Sequence, residues 1–328
     1  MRVLLLSPVF HGYWSAFAAA LEKLGHDVVV HRYDAATPRV RVSNALGYRL
    51  GAGAANRAKA VMTTEAVRAL GASKPDAVIV VKGDALGVDW WQALAESGAR
   101  SAIWLYDELA RMDYDAITLR TVGAVFSYSP LDVAALRTQG IDAQILPDGF
   151  DSLTDFSPRR SGAVNFIGAR YPERERLLGM LSAAGEPVEA FGREWSRHPW
   201  DMVRTQRWRG AGFPAHRDVA RPAYFGAMAG SLATLNIHGD GHDGFTMRTF
   251  EAPGVGALQL IDRADVAQHY EIGSETLVFE NDEELLDHVR HARREPGWAA
   301  AIRDAGRRRT LAEHTLVHRM RRVADSWA

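Results

Sequence analysis

The chain has 328 residues, 47% hydrophobic and 24% charged, a globular composition of a length that suggests two domains rather than one. Its 39 Lys plus Arg nearly cancel 40 Asp plus Glu, so no global basic field recommends nucleic acid as a partner. The absence of cysteine excludes disulfides and thiolate metal sites.

The opening MRVLLLSPVFHGYW is too short for a cleavable signal peptide, and no apolar run approaches the ~20 residues of a membrane span, so a cytoplasmic protein without a transmembrane segment is expected. Within it Val3–Ser7 is a continuous apolar run that predicts a strand, and Trp14, Phe17, Ala18, Leu21 and Leu24 then recur at helical spacing up to Gly25. Val28–Val30 is a second strand. Helical spacing returns around Ala58–Leu70 and precedes the strand DAVIVVK, Asp76–Lys82. A helix at Trp90–Ser97 leads to the strand SAIWLY, Ser101–Tyr106, followed by GAVFSYS at Gly123–Ser129, a helix at Leu131–Gln139 and IDAQILP ending at Pro147. Fully apolar strands alternating with amphipathic helices predict a parallel sheet covered on both faces.

After LPDGFD the turn-rich SLTDFSPRRSG reads as a linker, and the pattern restarts. Strand Val164–Ile167, helix Arg174–Ala184 and strand Val188–Phe191 come first. A loop rich in Trp and Arg follows (Trp195, Trp200, Trp208), then a helix near Tyr224–Ala229 and the strand Ala233–Ile237. A further helix, the strands Ala257–Ile261 and Thr276–Phe279, and a helical stretch from Glu283 to Trp327 complete the chain. The expected fold is therefore α/β, two doubly wound Rossmann-like domains facing a cleft lined by the carboxyl ends of both sheets. The expected bounds are 1–150 and 151–310, with a terminal helix at 311–328.

The segment NIHGDGHDGFTMRTFEAPGVGALQLI, from Asn236 to Ile261, puts glycines and charges just ahead of a helix start. If the helix begins near Met247, its first N–H groups and the positive end of its dipole form an anion site over HDGFT. Gly241 and Gly244 let the backbone approach a ligand, Arg248 can add a bidentate bond to phosphate, and Glu251 is an acceptor suited to a sugar diol. The alternative is a loop whose charges are merely solvated; glycines and charges alone leave both open.

The segments GFTMRTFEAPGVGALQLIDR, IGSETLVFENDEELLDHV and GRRRTLAEHTLVHRM resemble the C-terminal domain of GT-B glycosyltransferases, and in particular the spore-maturation-protein or CgeB-like group. VNFIGARYPERERLL and VEAFGREW look like that group's approach to the same domain, and LPDGFD looks like the usual GT-B crossing. The resemblance is strong over Pro147–Arg319 and general over the first domain. Related family 4 enzymes carry an E-x7-E element here; Asp243 and Glu251 stand at that spacing, as D-x7-E. The resemblance implies that Glu251 holds the nucleotide ribose and that Asp243 sits near the donor sugar, with Gly244, Phe245, Thr246 and Met247 around the nucleotide. It also implies a nucleotide-diphosphate sugar as co-substrate, UDP-sugar favoured, and no protein-bound metal. In GT-B proteins the last helix often crosses back to brace the first domain, and the Arg-rich end fits a packed amphipathic helix of that kind.

Other residues have two readings each. Arg170 binds a phosphate or pairs with Glu173 on the surface; Gly192 admits a base or ribose, or simply forms a turn. His11 resembles the base of inverting family 1 glycosyltransferases, which sits in the same turn, or is a loop histidine that only contacts substrate. Gly12 keeps that turn open to the diphosphate. Asp84, Asp107 and Glu108 end strands, where they bind acceptor hydroxyls, orient His11 or cap the following helices. WSRHPW with Trp208 forms either a wall near the donor base or, the safer reading, a small core under a long loop. His238, His242, Asp240 and Asp243 match no standard metal template.

The expected function is transfer of a sugar from a nucleotide-diphosphate sugar to a small-molecule or glycan acceptor. D-x7-E leans toward retention of configuration and His11 toward inversion, with retention favoured. The rivals are a nucleotide-sugar epimerase or hydrolase on the same fold, and a two-domain binding protein without chemistry.

Overall fold

Apolar runs bounded by glycine and turn residues become the inner strands of two parallel sheets in the computed structural model, which describes residues 1–35, 37–38, 40, 52–114, 116–238 and 243–327. The chain divides into two compact units, Met1–Asp148 with Leu316–Ala328, and Gly149–Thr315.

The first unit holds β1 (Arg2–Ser7), β2 (Asp27–Arg32), β3 (Ala77–Val81), β4 (Arg100–Trp104), β5 (Ala124–Ser127) and β6 (Ala143–Ile145), in the order β2-β1-β3-β4-β5-β6. All neighbours are parallel. Leu4, Leu6, Val78, Val80 and Ile103 are wholly buried, as strands covered on both faces require. Between strands run the helices Tyr13–Lys23, Ala52–Ser73, Val88–Glu96 and Pro130–Thr138. The last begins on Pro130, with the Ser129 hydroxyl accepting from Asp132 N at 3.0 Å, a sequence-readable cap. The chain returns to this unit as the helix Leu316–Asp325, which packs on Tyr13–Lys23 and buries Met320 and Val323. Arg319 Nε anchors it by donating to the carbonyls of Pro147 (2.8 Å) and Asp148 (3.0 Å).

The second unit holds β7 (Val164–Ile167), β8 (Val188–Phe191), β9 (Ala215–His216), β10 (Ala233–Asn236), β11 (Gln259–Ile261) and β12 (Leu277–Val278), in the order β12-β11-β10-β7-β8-β9, again all parallel. Its core joins Phe166, Leu178, Leu181, Trp195, Leu235, Leu258 and Leu260. Burying each such side chain contributes roughly 1.5–3 kcal/mol before entropy is counted.

Two elements differ from the sequence reading. The stretch from Glu283 onward is three helices, Asp282–Arg294, Pro296–Glu313 and Leu316–Asp325, because Pro296 can start a helix but not continue one. The Trp- and Arg-rich loop contains a helix, Pro199–Thr205, and the two-residue edge strand β9, both too short to leave a periodic signal.

In a doubly wound sheet ligands gather where the strand order reverses, outside the carboxyl ends of the two strands that flank the reversal. That point lies at β1 and β3 in the first unit and at β7 and β10 in the second.

Candidate functional site

At the β7/β10 switch point two arginines meet. Gly168 follows β7 with φ +151°, and an added Cβ would lie 2.2 Å from Arg248 Nη1, so glycine leaves room for that guanidinium where it stands. Arg248 donates to the carbonyl of Ile167, the last residue of β7. Arg174, 6% exposed, donates to Ala169 O (3.2 Å) and Ile237 O (2.8 Å), bridging the ends of β7 and β10. Both guanidiniums sit over the ring of Phe166, at 5.1 and 5.6 Å from its centroid. Burial, then the charge of Arg248, lower the Arg174 pKa to about 10. Among the described residues no carboxylate stands within salt-bridge distance of either. Two half-desolvated like charges tolerate each other at a cost unless an anion offsets them.

The turn ahead of the helix Arg248–Gly254 adds uncharged donors. Thr249 N bonds to Thr246 O and Glu251 N to Met247 O, leaving the N–H groups of Thr246, Met247 and Arg248 without an acceptor among the described residues. The buried Thr246 hydroxyl likewise has no hydrogen-bond partner there. Arg263 holds this turn from behind: it donates to Gly244 O (3.0 Å) and Asp243 O (2.9 Å) and stacks on Phe245 at 4.1 Å. Asp243 is half-buried, and Gly241, His242 and Asp240 lie outside the described residues.

Glu251 points into the unit, wholly shielded, where the Tyr224 hydroxyl donates to its Oε2 at 2.6 Å. A second buried chain fixes the same helix from the β10 side. His238 pairs through Nδ1 with Asp262 (3.3 Å), His238 Nε2 meets the Thr249 hydroxyl (3.3 Å), and Asn236 Nδ2 donates to that hydroxyl at 3.0 Å. Burial lowers the His238 pKa more than Asp262 raises it, so the ring is held neutral. His238 is thus a strut of the fold in hydrogen-bond contact with one carboxylate.

Arg170 does not reach this cluster. Its guanidinium is closed off by Glu175 (2.9 and 2.5 Å) and Arg209 O (2.9 Å), so its partner is Glu175, not the Glu173 read from the sequence. Gly192, φ +145°, makes its close approach to a protein group: an added Cβ would fall 2.6 Å from Gly168 O. Of the tryptophans assigned to a small core, only Trp195 is buried, donating to Gly168 O at 2.8 Å; Trp200 faces solvent because helix Pro199–Thr205 turns Asp201 inward in its place, and Trp208, beyond that helix, faces solvent too.

Sequence reasoning missed Arg174, Arg263 and Tyr224. Arg174 left one signal: Pro172 marks the first turn of the helix Pro172–Ala183, where a cation opposes the helix dipole and so calls for another role.

In the first unit the β1/β3 switch point carries a small cavity lined by Ser7, Phe10, Tyr13, Lys82, Tyr106 and Asp107 among others. His11, Lys82 and Tyr106 have positive φ (45°, 62° and 58°), a strained state for non-glycine residues. His11 is exposed in the turn Phe10–Gly12, and Gly12 has φ +75°. Lys82 Nζ pairs with Asp107 at 2.7 Å. Asp84 is raised in pKa, chiefly by burial, against the charge of Lys82. Glu108 is buried and turned toward Arg111 at 3.5 Å.

Residues 170–325, just under half the chain, match the family described as glycosyl transferase-like. No curated protein matches the chain by sequence. Several solved structures share its fold over nearly its whole length. A sucrose-phosphate synthase from Thermosynechococcus elongatus superposes with TM-score 0.67 at 13% identity, covering 99% of this chain and 98% of the other. HepE from Anabaena, in complex with UDP-glucose, gives 0.65 at 13%, covering 99% of each. A UDP-N-acetylglucosamine 2-epimerase (so described, as putative) from Listeria monocytogenes gives 0.61 at 13%, covering 98% and 94%. The fold is GT-B, with two Rossmann-like domains. Among the described residues no helix is long and apolar enough to cross a membrane.

Proposed function

We propose that the chain is a glycosyltransferase that takes a sugar, a hexose by expectation, from a nucleotide-diphosphate donor, UDP-sugar favoured. The observation that supports this most is the Arg174–Arg248 pair at the β7/β10 switch point, two guanidiniums without a carboxylate partner among the described residues. An anion of two charges offsets them, and a diphosphate matches that charge and the fork geometry of guanidinium. The N–H groups of Thr246, Met247 and Arg248 and the Thr246 hydroxyl supply further donors beside it. That HepE binds UDP-glucose on the same fold adds to the reading.

In transfer, the bond from the anomeric carbon to the diphosphate breaks while the carbon gains oxocarbenium character. Charge accumulates on the leaving oxygen, and donors fixed before the reaction stabilise it without reorganising, the term that dominates many enzyme rates. This assigns to guanidiniums the work that a metal ion does in other transferases. Asp243 lies near the donor sugar, the acceptor is taken up by the first unit, and Glu251, which has no solvent exposure here, receives the ribose hydroxyls once donor binding opens its contact with Tyr224. Retention of configuration is the favoured outcome.

The second reading, a nucleotide-sugar epimerase or hydrolase, draws on the likeness to the Listeria epimerase fold. Release of nucleoside diphosphate from a panel of donor sugars, with and without cell extract as acceptor source, separates the two. Release that depends on the extract supports transfer. Release without any acceptor supports a hydrolase, conversion of the donor to an isomeric nucleotide sugar without release supports an epimerase, and neither change despite tight nucleotide binding supports a binding protein.

A further inference from the structure

The connection from β8 to β9 is built inside out. In the helix Pro199–Thr205 the only carboxylate, Asp201, is 3% exposed and accepts from Arg217 at 2.7 and 3.1 Å. Trp200 and Val203, three residues apart and so on one helix face, are 60% and 56% exposed, and Trp208 just beyond is 65% exposed. A helix that is merely solvated does the reverse, turning its acid to water and its tryptophan to the core. Exposed apolar groups of this size gathered in one segment mark an interaction surface.

Arginines outnumber the carboxylates around this face, and Glu175 and Asp218 are taken up by Arg170 and Arg193. Arg197, Arg204, Arg207 and Arg209 are exposed, and among the described residues none has a carboxylate within salt-bridge distance; Arg193, by contrast, is paired with Asp218 at 3.1 Å. The segment is ordered by its own contacts: Arg207 donates to Arg170 O (3.1 Å), Arg170 donates to Arg209 O, and Arg197 lies against Gly210. So the arginines and tryptophans belong to a folded surface in a chain whose overall charge is only −1.

We propose that this face docks the protein peripherally on an anionic lipid bilayer. Tryptophan rings sit at headgroup depth, Val203 enters the acyl boundary, and the guanidiniums bind lipid phosphates. Single-stranded nucleic acid is the other polyanion that aromatic and arginine side chains take up. Val203 separates the two, since an exposed aliphatic on the tryptophan face gains nothing from base stacking.

Flotation of the full chain with phosphatidylcholine vesicles, with and without about one-third phosphatidylglycerol, tests this. The chain is expected to float only with the anionic vesicles and to be released at about 0.5 M salt. The W200S/W208S variant and the R197Q/R204Q/R209Q variant are each expected to lose at least tenfold in apparent affinity, since one arginine at a bilayer surface is worth about fivefold. All five positions are exposed, and an unchanged thermal melt verifies that both variants fold. Absence of flotation, equal flotation with neutral vesicles, or arginine variants that float like the parent overturns the proposal. Binding of poly(U) at lower concentration than anionic vesicles overturns it in favour of nucleic acid.

Discussion

Tyr224 donates a 2.6 Å hydrogen bond to Glu251, a carboxylate with no solvent exposure. A charge buried this far needs donors, and burial, then the charge of Glu251, push the phenol pKa well above its ordinary value, so Tyr224 stays a donor at working pH. Tyr224→Phe is expected to lower stability by about 1–3 kcal/mol in urea titrations, the cost of removing one charge-assisted donor from a buried carboxylate. Glu251→Gln keeps the shape and the acceptor oxygen but removes the charge. Its stability is expected to stay within about 1 kcal/mol of the parent while the donor KM rises about tenfold or more. Wild-type KM in Glu251→Gln would take the ribose away from this residue.

The guanidinium pair makes a kinetic prediction that folding does not mimic. Arg248→Ala removes one bond to Ile167 O and one stacking contact, about 1–2 kcal/mol of stability. Loss of a donor to the leaving group costs more in rate, on the order of 10²-fold in kcat. Gly168→Ala is expected to reproduce the kinetic loss without touching a charge, because its Cβ occupies the place of Arg248 Nη1. It adds about 1–3 kcal/mol of backbone strain at φ +151°. Normal kinetics in Arg248→Ala with every donor would mean that this residue does not hold the diphosphate.

The strands β7 and β8 follow the sequence reading residue for residue, since each is a short, mostly apolar segment closed by a glycine. The site was legible only where chemistry is local. Arg248, three residues ahead of Glu251 and at the start of a helix, announces itself by spacing. Which of Arg170 and Arg174 reaches the switch point does not follow from spacing, because both lie within the turn after β7 and the first helical turn. Glu175 decides it by capturing Arg170. Tyr224 lies 27 positions from Glu251, and Arg263 lies 19 and 20 positions from the carbonyls it grips, so only the folded chain brings them together. Trp200 and Trp208 defeated the rule that tryptophan is core, because the helix that carries Trp200 spends its inward face on Asp201 and Arg217.

Stereochemistry separates the roles of His11 and the Asp243–Glu251 element. His11 stands exposed in a strained turn at φ +45°, at the end of β1. With retention, no protein base is needed on the far side of the sugar, so His11→Ala is expected to lose less than tenfold in kcat and the product anomer, assigned by NMR, to match the donor. An inverted anomer together with a loss of 10²-fold or more in His11→Ala would reverse both statements and make His11 the base.

His238 predicts a pH dependence of stability. It faces Asp262 from the end of β11, Thr249 and Arg248 from the helix, and Phe245 and Arg263 from the turn and its support. Desolvation by burial is the largest influence and lowers its pKa, outweighing the Asp262 carboxylate. A base whose folded pKa is depressed binds fewer protons folded than unfolded, so its neutral form stabilises the fold fully above the unfolded value of 6.5. That contribution is lost as pH falls below 6.5 toward the folded pKa. His26 and His31 are lowered too, mainly by burial, and act in the same direction in the first unit. Urea midpoints of the parent are therefore expected to drop from pH 7.5 to 5.5, and His238→Gln, which keeps a polar group beside Asp262 and Thr249 but does not titrate, to drop by less. An equal drop in both proteins would assign the acid sensitivity to other groups and leave His238 a strut with no titrating role.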